Sequence, residues 1–371
     1  MRPHKVLFVF GTRPEAIKMA PVIKELKRFK GLFRTSVVVT AQHREILVPV
    51  LRIFGIKPDY DLGVMKENQS LTDVTVRVLR RLEPVLRKER PDLAMVQGDA
   101  TSAFAAALAA YYQKIPVGHI EAGLRTQDKY APFPEEVNRR FITTVADFHF
   151  APTEWARKNL LQEGVDPHRV YVTGNTVIDA LYWIRRKQKR PRQRESNRLV
   201  LLLTLHRRES FGKPLMAICR AILALIKRNP DIEVIYPVHP NPNVRLPVKA
   251  LLGERERIHL VAPLDYPDFV RVLERCYLVL TDSGGVTEEA PALRKPVLIL
   301  REKTERPEAV KAGVAKLVGI EPKTVVNETE RLLRHPLAYR RMQGKGSPYG
   351  DGKAAQRIRR LLLKVLPQVD K

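Results

Sequence analysis

Three acidic residues follow short apolar runs in the first part of the sequence, where they could carry acid–base chemistry. Asp99 stands two residues after the run Leu93–Gln97, and Glu121 directly follows the run Val117–Ile120. Glu135 comes after a stiff Pro-Phe-Pro segment that leads into a helical pattern. An ionised carboxylate at the end of a buried strand is costly unless it has partners. We therefore expect these carboxylates to do more than support packing.

Simpler interpretations of the same carboxylates stay open. Asp99 could cap a helix that starts near Thr101. Glu135 and the neighbouring Glu136 could merely complement the dipole of the helix that they begin. Capping does not, however, require an acidic residue after each of three successive strands.

Two cations are predicted near the tip of the first helix. Thr12, Pro14 and Glu15 have the spacing of a capping box with a proline in the first turn, so a helix should begin here. Arg13 and Lys18 would then stand where their charges oppose the helix dipole. An incoming anion would relieve this cost, which indicates a phosphate site. Solvated charges on a well-capped helix are an equally good interpretation.

A glycine-rich turn in the second half has the composition of a phosphate cradle. Ser283, Gly284 and Gly285 follow an apolar run and precede a helical pattern, so main-chain N–H groups and the helix dipole would favour an anion. The acidic pair Glu288 and Glu289, one turn later, could bind ribose hydroxyls. A plain glycine turn is the alternative.

Two further residues at strand ends could contact an anion. His206 follows the run Leu199–Thr204 and is followed by two arginines, which raises the chance of anion contact. Arg306 follows the run Val297–Leu300 and precedes a proline that can open a helix. A lone histidine is more commonly a satisfied core or surface residue.

The sequence contains no paired-histidine or Asp-x-Asp motif of the kind that holds a metal ion. We therefore expect no metal and no cofactor. The negative charge of a bound phosphate group would be balanced by cationic side chains and helix amides. The candidates are Arg13, Lys18, His206 and Arg306.

Composition narrows the protein class. The only cysteines, Cys219 and Cys276, lie in apolar helical patterns, which indicates buried thiols and a reducing compartment. The first apolar run is too short for a signal peptide, and no stretch could span a bilayer, so we expect a cytoplasmic protein without membrane association. The net charge of +26 is scattered, apart from a basic stretch at 185–198. Nucleic-acid binding is therefore the weaker interpretation.

Short apolar runs alternate with helical patterns along the chain, which predicts an α/β protein with parallel sheets. We expect two doubly wound, Rossmann-like domains facing across a cleft, with residues 1–172 in the first domain and 173–352 in the second. A helix at 354–366 closes the chain. The predicted strands are Val6–Phe10, Ser36–Thr40, Leu93–Gln97, Val117–Ile120, Phe148–Ala151, Val170–Val172, Leu199–Thr204, Glu233–Pro237, Ile258–Val261, Leu278–Leu280 and Val297–Leu300.

The motifs, taken together and in this order, resemble the non-hydrolysing UDP-N-acetylglucosamine 2-epimerases. The resemblance covers nearly the whole chain and implies a GT-B architecture in which the C-terminal helix, 353–371, packs back on the first domain. It also implies a homodimer. The motifs that carry it are FGTRPEAIKMAP, GDATS, HIEAGLRT, FPEEVNRR, TGNTVIDA, HRRES, YPVHPNPNV, LTDSGGVTEEAP, TERPEAV and PYGDG.

The resemblance also implies roles for individual residues. The residues expected to be catalytic are Asp99, Glu121, Glu135 and His206. The residues expected to bind the UDP-sugar are Arg13, Lys18, Asp99, Glu121, His206, Leu264, Phe269, Ser283, Gly284, Gly285, Glu289 and Arg306. In this set, Ser283 to Gly285 would hold the diphosphate, Glu289 the ribose, and Leu264 with Phe269 the uracil.

Some family members bind a second UDP-GlcNAc as an activator. The residues matching that site are Gln42, His43, Arg207 and His239. Glu45 and Asn68 stand where activated members can carry glutamine and arginine, and the lost arginine would remove a charge-assisted contact to a diphosphate. We therefore do not expect activation by a second substrate molecule.

The implied activity is reversible conversion of UDP-GlcNAc to UDP-ManNAc, which supplies ManNAc-type sugars for cell-surface polysaccharide. The C2–H bond is not acidic, so the workable route eliminates UDP to give 2-acetamidoglucal and then adds it back. Three enzyme alternatives stay open: a GT-B UDP-sugar glycosyltransferase, a hydrolysing epimerase, and an epimerase for a UDP-diacetamido uronic acid. A polyanion-binding protein is the alternative outside enzymes.

Overall fold

Two compact units make up the chain in the structure, which is a computed structural model. One unit consists of Met1–Ala180 with Gly350–Lys371, and the other consists of Leu181–Tyr349. The units thus divide at residues 180–181, whereas the sequence predicted a division at residues 172–173. The residues that the structure describes are 2–40, 44–65, 69–188, 197–207, 210–344 and 346–366.

The first unit contains a seven-stranded parallel sheet with the order β3-β2-β1-β4-β5-β6-β7. Its central strands are almost entirely buried, as expected for a parallel sheet covered on both faces. The strands are β1 (His4–Phe10), β2 (Phe33–Val39), β3 (Tyr60–Asp61), β4 (Leu93–Gln97), β5 (Val117–Ile120), β6 (Phe148–Ala151) and β7 (Val170–Val172).

The second unit repeats this topology with six parallel strands in the order β10-β9-β8-β11-β12-β13. The predicted fold class of doubly wound α/β units is therefore confirmed. The strands are β8 (Leu199–Thr204), β9 (Ile232–Pro237), β10 (Ile258–Val261), β11 (Leu278–Thr281), β12 (Val297–Ile299) and β13 (Ala315–Leu317).

Helices connect successive strands, as parallel pairing requires. Those of the first unit are α1 (Arg13–Lys27), α2 (Arg44–Phe54), α3 (Leu71–Glu89), α4 (Thr101–Tyr112), α5 (Glu135–Val145), α6 (Glu154–Gln162), α7 (Thr176–Lys187, which crosses the division) and α15 (Ala354–Val365). Those of the second are α8 (Lys213–Arg228), α9 (Pro242–Leu252), α10 (Tyr266–Arg275), α11 (Gly284–Ala292), α12 (Pro307–Lys311), α13 (Pro322–Arg334) and α14 (Pro336–Gln343).

The C-terminal helix α15 belongs to the first unit and is hydrogen-bonded to two of its carboxylates. The Asp179 carboxylate accepts hydrogen bonds from the main-chain N–H groups of Ala354 and Ala355, at 3.1 and 2.9 Å. Further along, Arg359 donates to Glu25 of α1 at 2.9 Å. Asp179 therefore satisfies the first amides of a helix that begins far away in sequence.

Both cysteines are buried, as the sequence predicted. Burial raises the pKa of each thiol to about 12, which keeps both protonated and unreactive. Within the described part of the chain, none of the helices is long and apolar enough to cross a membrane.

Candidate active site

In each sheet the strand order reverses direction once, between β1 and β4 and between β8 and β11. Open parallel sheets bind ligands beyond the carboxyl ends of the strands at such a switch point. The segments that directly follow these four strands carry Arg13, the first residue of α1, and Asp99, His206 and Ser283. The sequence-predicted residues of each unit therefore lie where its topology favours a site.

Glu121 is a buried carboxylate held by three donors. Its Oε1 accepts from Lys18 Nζ at 2.5 Å and from Asn175 Nδ2 at 2.9 Å, and its Oε2 accepts from Gln97 Nε2 at 2.5 Å. Its φ of 65° lies in the left-handed region, which residues other than glycine seldom adopt. Because an unpartnered buried carboxylate would be costly, these donors fix Glu121 in one position. Lys18, which was predicted to bind a phosphate, forms an ion pair with the Glu121 carboxylate.

A neutral histidine supports the same edge of the sheet. His119 Nε2 lies 2.8 Å from the Gly98 carbonyl oxygen and is fully buried. Burial lowers the pKa of His119 to about 4. His119 therefore contributes a hydrogen bond beneath the Gly98 turn and no positive charge at neutral pH.

Arg139 binds the Asp99 carboxylate through two nitrogen atoms. Arg139 donates to Asp99 Oδ2 from Nε at 2.8 Å and from Nη2 at 2.5 Å, and Asn138 donates to the Asp99 carbonyl at 2.9 Å. The capping interpretation of Asp99 is wrong, because the N-cap residue of α4 is Ala100 and makes no side-chain cap. The fork orients the Asp99 carboxylate while the side chain keeps partial exposure to solvent.

The two glutamates that begin α5 have different surroundings. Glu136 is fully buried and accepts from the main-chain N–H groups of Thr126 and Gln127, at 3.0 and 3.3 Å. Its Oε2 also accepts from Arg139 Nη1 at 3.1 Å. Glu136 thus anchors the loop after β5 and the arginine that orients Asp99. Glu135, the predicted acid–base residue, is half-buried at the first position of the helix.

The predicted capping box at the start of α1 is confirmed. Glu15 Oε2 accepts from the N–H groups of Gly11 and Thr12 at 3.0 and 2.7 Å, and Thr12 Oγ1 accepts from the Glu15 N–H. Two of the amides at this tip are therefore already bonded to a carboxylate. The phosphate site suggested by Arg13 and Lys18 at this helix tip stays a prediction.

The glycine-rich turn of the second unit does begin a helix. Ser283 is the N-cap of α11, and its Oγ accepts from the Val286 N–H at 3.5 Å. A Cβ built on Gly284 would lie 2.3 Å from Arg306 Nη1, so only glycine leaves room for this guanidinium. Arg306 therefore lies against the first turn of α11. A guanidinium and the tip of a helix together make a favourable setting for a phosphate.

A buried carboxylate, Asp282, organises the segment after β8. It accepts from the N–H groups of His206 and Arg207 at 3.1 and 3.0 Å and from Ser210 Oγ at 2.8 Å. His206 Nδ1 also lies 3.3 Å from Asp282 Oδ1. Burial raises the pKa of Asp282, but these donors outweigh that effect and leave the pKa below its ordinary value. Asp282 thus orients the half-exposed His206 ring.

A second buried carboxylate, Glu305, forms ion pairs with three arginines. It pairs with Arg306 Nη1 at 2.9 Å, with Arg301 at 2.6 Å and with Arg207 Nη2. These cations overcome the effect of burial and hold the pKa of Glu305 far below its ordinary value. Arg306 Nε also donates to Glu288 at 2.6 Å. The cluster fixes Arg306 beside the tip of α11.

The predicted base and ribose contacts lie around α10 and α11. Glu289 Oε1 accepts from the buried Tyr266 hydroxyl at 2.6 Å, which orients the carboxylate predicted to bind ribose. Leu264 and Phe269 flank Asp265, the N-cap of α10, and are half-buried. Glu288, the other member of the acidic pair on α11, is bound by Arg306. The two glutamates therefore differ, because Glu288 positions Arg306 whereas Glu289 remains the candidate for ribose binding.

The residues of the possible second site are only partly described. Gln42 and His43 lie outside the described residues, as do Asn68 and the side chain of Glu45. Arg207 is bound to Asp282 and Glu305. Burial, and to a smaller extent the neighbouring His206, lower the pKa of His239 below its ordinary value.

Comparison with known proteins identifies the family. The sequence profile of UDP-N-acetylglucosamine 2-epimerase matches residues 24–363. The chain belongs to this family. A UDP-N-acetylglucosamine 2-epimerase of Yersinia pestis is 50% identical over 369 residues, which cover 96% of this chain and 98% of the relative.

Solved structures of epimerases agree with this assignment. The crystal structure of UDP-GlcNAc 2-epimerase from Neisseria meningitidis bound to UDP-GlcNAc has a TM-score of 0.92 and 48% identity, and covers 97% of this chain and 100% of that chain. An S. aureus structure with UDP has a TM-score of 0.91 and 44% identity, with 99% of each chain covered. The implied GT-B architecture of the epimerase family agrees with these neighbours.

Several supporting residues of this epimerase were not predicted from the sequence. Arg139, Asn175, Asp282 and Glu305 all lie inside motifs that carried the resemblance, yet none was named as a functional residue. Each acts by fixing another side chain. The burial of Asp282 could have been predicted, because it directly follows an apolar strand. Its three donors could not, because they come from a segment over 70 positions earlier in the sequence.

Proposed function

We propose that the chain interconverts UDP-GlcNAc and UDP-ManNAc by eliminating UDP and adding it back. Membership of the epimerase family supports the reaction. The observation that carries the proposal is the pair of fixed carboxylates in the first unit, Glu121 held by Lys18 and Asp99 held by Arg139. A glycosyltransferase with this fold would need an acceptor site and would have no use for such a pair.

The second unit supplies the proposed nucleotide site. The tip of α11, at Ser283 to Gly285, offers main-chain N–H groups, and Arg306 lies against it. His206 is directed by Asp282, and Glu289 by Tyr266. These groups suit a diphosphate and a ribose, and they are preorganised, so little free energy is spent in arranging them when UDP leaves.

The chemistry explains why acid–base groups and phosphate-binding groups are both needed. No carbonyl group is attached to C2, so its proton is not acidic enough for simple exchange. In the elimination, a carboxylate takes the C2 proton, a C1–C2 double bond forms, and the C1–O bond breaks with its electrons passing to UDP. Re-addition of UDP at C1 is accompanied by protonation of C2 on the opposite face. Cations near the diphosphate stabilise the charge that develops on the leaving oxygen.

This scheme requires two carboxyl groups, one on each face of the sugar. The first unit contains three candidate carboxyl groups. Glu121, Asp99 and Glu135 are the candidates. Replacement of Asp99 by asparagine or Glu121 by glutamine should lower kcat at least about a hundredfold while UDP still binds. Near-normal turnover in both variants would remove them from the acid–base set.

Assembly as a homodimer and a cytoplasmic location complete the proposal. Exposed aromatic side chains on neighbouring helices of the first unit, Tyr111 and Tyr112 on α4 and Phe141 on α5, support an interface. Light scattering at micromolar concentration should give twice the chain mass of 42.4 kDa. A mass of one chain at all concentrations would contradict the dimer.

Incubation of the purified protein with UDP-GlcNAc alone tests the function. The epimerase should form UDP-ManNAc until a constant ratio is reached from either sugar. A glycosyltransferase would leave the substrate unchanged without an acceptor, and a hydrolysing epimerase would release free ManNAc and UDP. A UDP-diacetamido uronic acid added in parallel should react much more slowly.

A further inference from the structure

The two oxygen atoms of the Glu121 carboxylate have different kinds of partner. Oε1 accepts from Lys18 Nζ at 2.5 Å and from Asn175 Nδ2 at 2.9 Å, whereas Oε2 accepts from Gln97 Nε2 at 2.5 Å. All four residues are buried, and each is at most 8% exposed. Because buried polar atoms depend on their hydrogen bonds, these partners decide which oxygen atom can take up a proton.

The two partners of Oε1 can only donate to it. The ammonium group of Lys18 has three donors and no acceptor. The amide of Asn175 is oriented by a second hydrogen bond, because its Oδ1 accepts from the main-chain N–H of Val177, in the first turn of α7, at 3.1 Å. That bond directs the Nδ2 group towards Glu121. A proton on Oε1 would therefore face two donors and would break at least one buried hydrogen bond.

The partner of Oε2, in contrast, can either donate or accept. Gln97 is the last residue of β4, and its side-chain amide has a donor nitrogen and an acceptor oxygen. With Glu121 ionised, the amide nitrogen donates to Oε2, as the structure shows. With a proton on Oε2, a half turn of the amide would present the acceptor oxygen instead. The terminal torsion of glutamine is broad and roughly two-fold, so this half turn causes no side-chain strain.

Oε2 also lies beside the turn that carries Asp99. A Cβ built on Gly98 would lie 3.6 Å from Glu121 Oε2, and Gly98 directly precedes Asp99. This turn follows β4, one of the two strands at the switch point of the first sheet. Parallel sheets bind ligands beyond the carboxyl ends of such strands. Oε2 therefore lies at the edge of the sheet where the sugar is expected.

We propose that Glu121 exchanges the C2 proton through Oε2, and that Gln97 is the positioning residue that allows this change. This inference rests on the proposed function. In the elimination the C2 proton passes to Oε2, the C–H electron pair forms the C1–C2 double bond, and the C1–O pair leaves with UDP. Oε2 then loses its proton to water before the next turnover, or returns it to C2 when the reaction runs backwards. Lys18 and Asn175 hold Oε1 in place throughout.

Gln97→Met tests the proposal, because methionine has a similar length and no amide. The measurements are kcat, KM and the isotope effect with UDP-GlcNAc deuterated at C2. We expect kcat to fall about tenfold or more and KM to change less than about twofold. The isotope effect should rise, because proton transfer becomes slower relative to the other steps. Gln97→His should restore most of the lost kcat, because a neutral imidazole can also donate or accept.

Two comparisons separate this role from a general loss of stability. Thr143→Val is the matched control, since it removes another buried hydrogen bond of the first unit, from Arg125 Nη2 to Thr143 Oγ1 at 2.9 Å. It should lower the melting temperature and leave kcat and the isotope effect unchanged. In a Glu121→Gln background, Gln97→Met should lower kcat by less than about a further twofold, because the two residues act as one unit.

Asn175→Asp tests the role of Oε1 without changing Gln97. Aspartate caps a helix about as well as asparagine, so the bond to the Val177 N–H can be kept. The atom that faces Oε1 would become an acceptor, however, so Oε1 could hold a proton and Glu121 would be a poorer base. We expect kcat to fall about tenfold or more while UDP binds as before. This variant decides the question if Gln97→Met does not fold.

The outcomes separate this inference from the function itself. A wild-type protein that fails to make UDP-ManNAc would contradict the proposed function. If the wild type epimerises normally, a wild-type kcat in Gln97→Met, or an undiminished effect of that change in the Glu121→Gln background, would overturn the role of Gln97 alone. A wild-type kcat in Asn175→Asp would overturn the assignment of the proton to Oε2.

Discussion

Substituting Gly284 by alanine should disturb the proposed phosphate site through a single added methyl group. The new Cβ would lie 2.3 Å from Arg306 Nη1 and 2.5 Å from its Cζ, far inside van der Waals contact. A long arginine side chain could normally move aside at little cost. Here a shift is costly, because Nε is bonded to Glu288 at 2.6 Å and Nη1 to Glu305 at 2.9 Å, both in a buried setting.

The magnitude follows from these contacts. Breaking a buried ion pair costs about 3–5 kcal/mol. Glu305 keeps Arg207 and Arg301, and Arg306 can shift without losing every bond, so we expect a net loss of about 2–3 kcal/mol. A displaced guanidinium would also lose a charge-assisted hydrogen bond to a phosphate, worth about 1.5–3 kcal/mol, or about a ten- to hundredfold weaker affinity for UDP.

Gly285→Ala is the matched control for stability, because its Cβ would approach only Ser283 Oγ, at 4.0 Å. Alanine is the better helix former, so this variant should gain about 0.5–1 kcal/mol. Calorimetry should place the melting temperature of Gly284→Ala about 5–10 °C below that of the control, and titration calorimetry should give its weaker affinity for UDP. The reasoning would be refuted if Gly284→Ala melted as high as the control and bound UDP as the wild type does.

Other substitutions should act through the residues that hold the site. Arg139→Lys removes the fork on Asp99 and should lower kcat about tenfold or more without weakening UDP binding, as steady-state kinetics and calorimetry would show; unchanged kcat would contradict this. Asp282→Asn loses acceptors for the His206 segment and should lower the free energy of unfolding by about 1–3 kcal/mol in urea titrations, whereas an unchanged midpoint would count against it. Burial lowers the pKa of His149 to about 3, so the unfolded state takes up more protons below pH 6.5. Relative to His149→Gln, the wild type should lose about 1.4 kcal/mol per pH unit between about pH 6 and 4, and parallel stability curves would disprove this.

Local sequence signals predicted much of the fold. The apolar runs located every strand except β13 and β3, and β3 has only two residues. The capping box of Thr12 and Glu15 was also predictable, because both partners lie within one turn. A strand that consists of an apolar run can be recognised from its own residues. The two-residue strand β3, in contrast, forms because it pairs with β2.

Partnerships between distant segments were not predictable. The residues that carry the site bind partners far away in sequence, such as Glu121 with Lys18 and Asp282 with His206. Their identity follows from which strands become neighbours, which the order β1-β4 and β8-β11 decides. The sequence therefore predicted candidate carboxylates but not the side chains that bind them in the fold, such as Lys18 for Glu121.

The fate of hydrogen at C2 tests the central claim most directly. UDP-GlcNAc and the protein would be incubated in D₂O without an acceptor and followed by proton NMR. The elimination route predicts UDP-ManNAc that carries deuterium at C2, with the label appearing at the rate of epimerisation. UDP-ManNAc that keeps its original hydrogen at C2 would contradict the account.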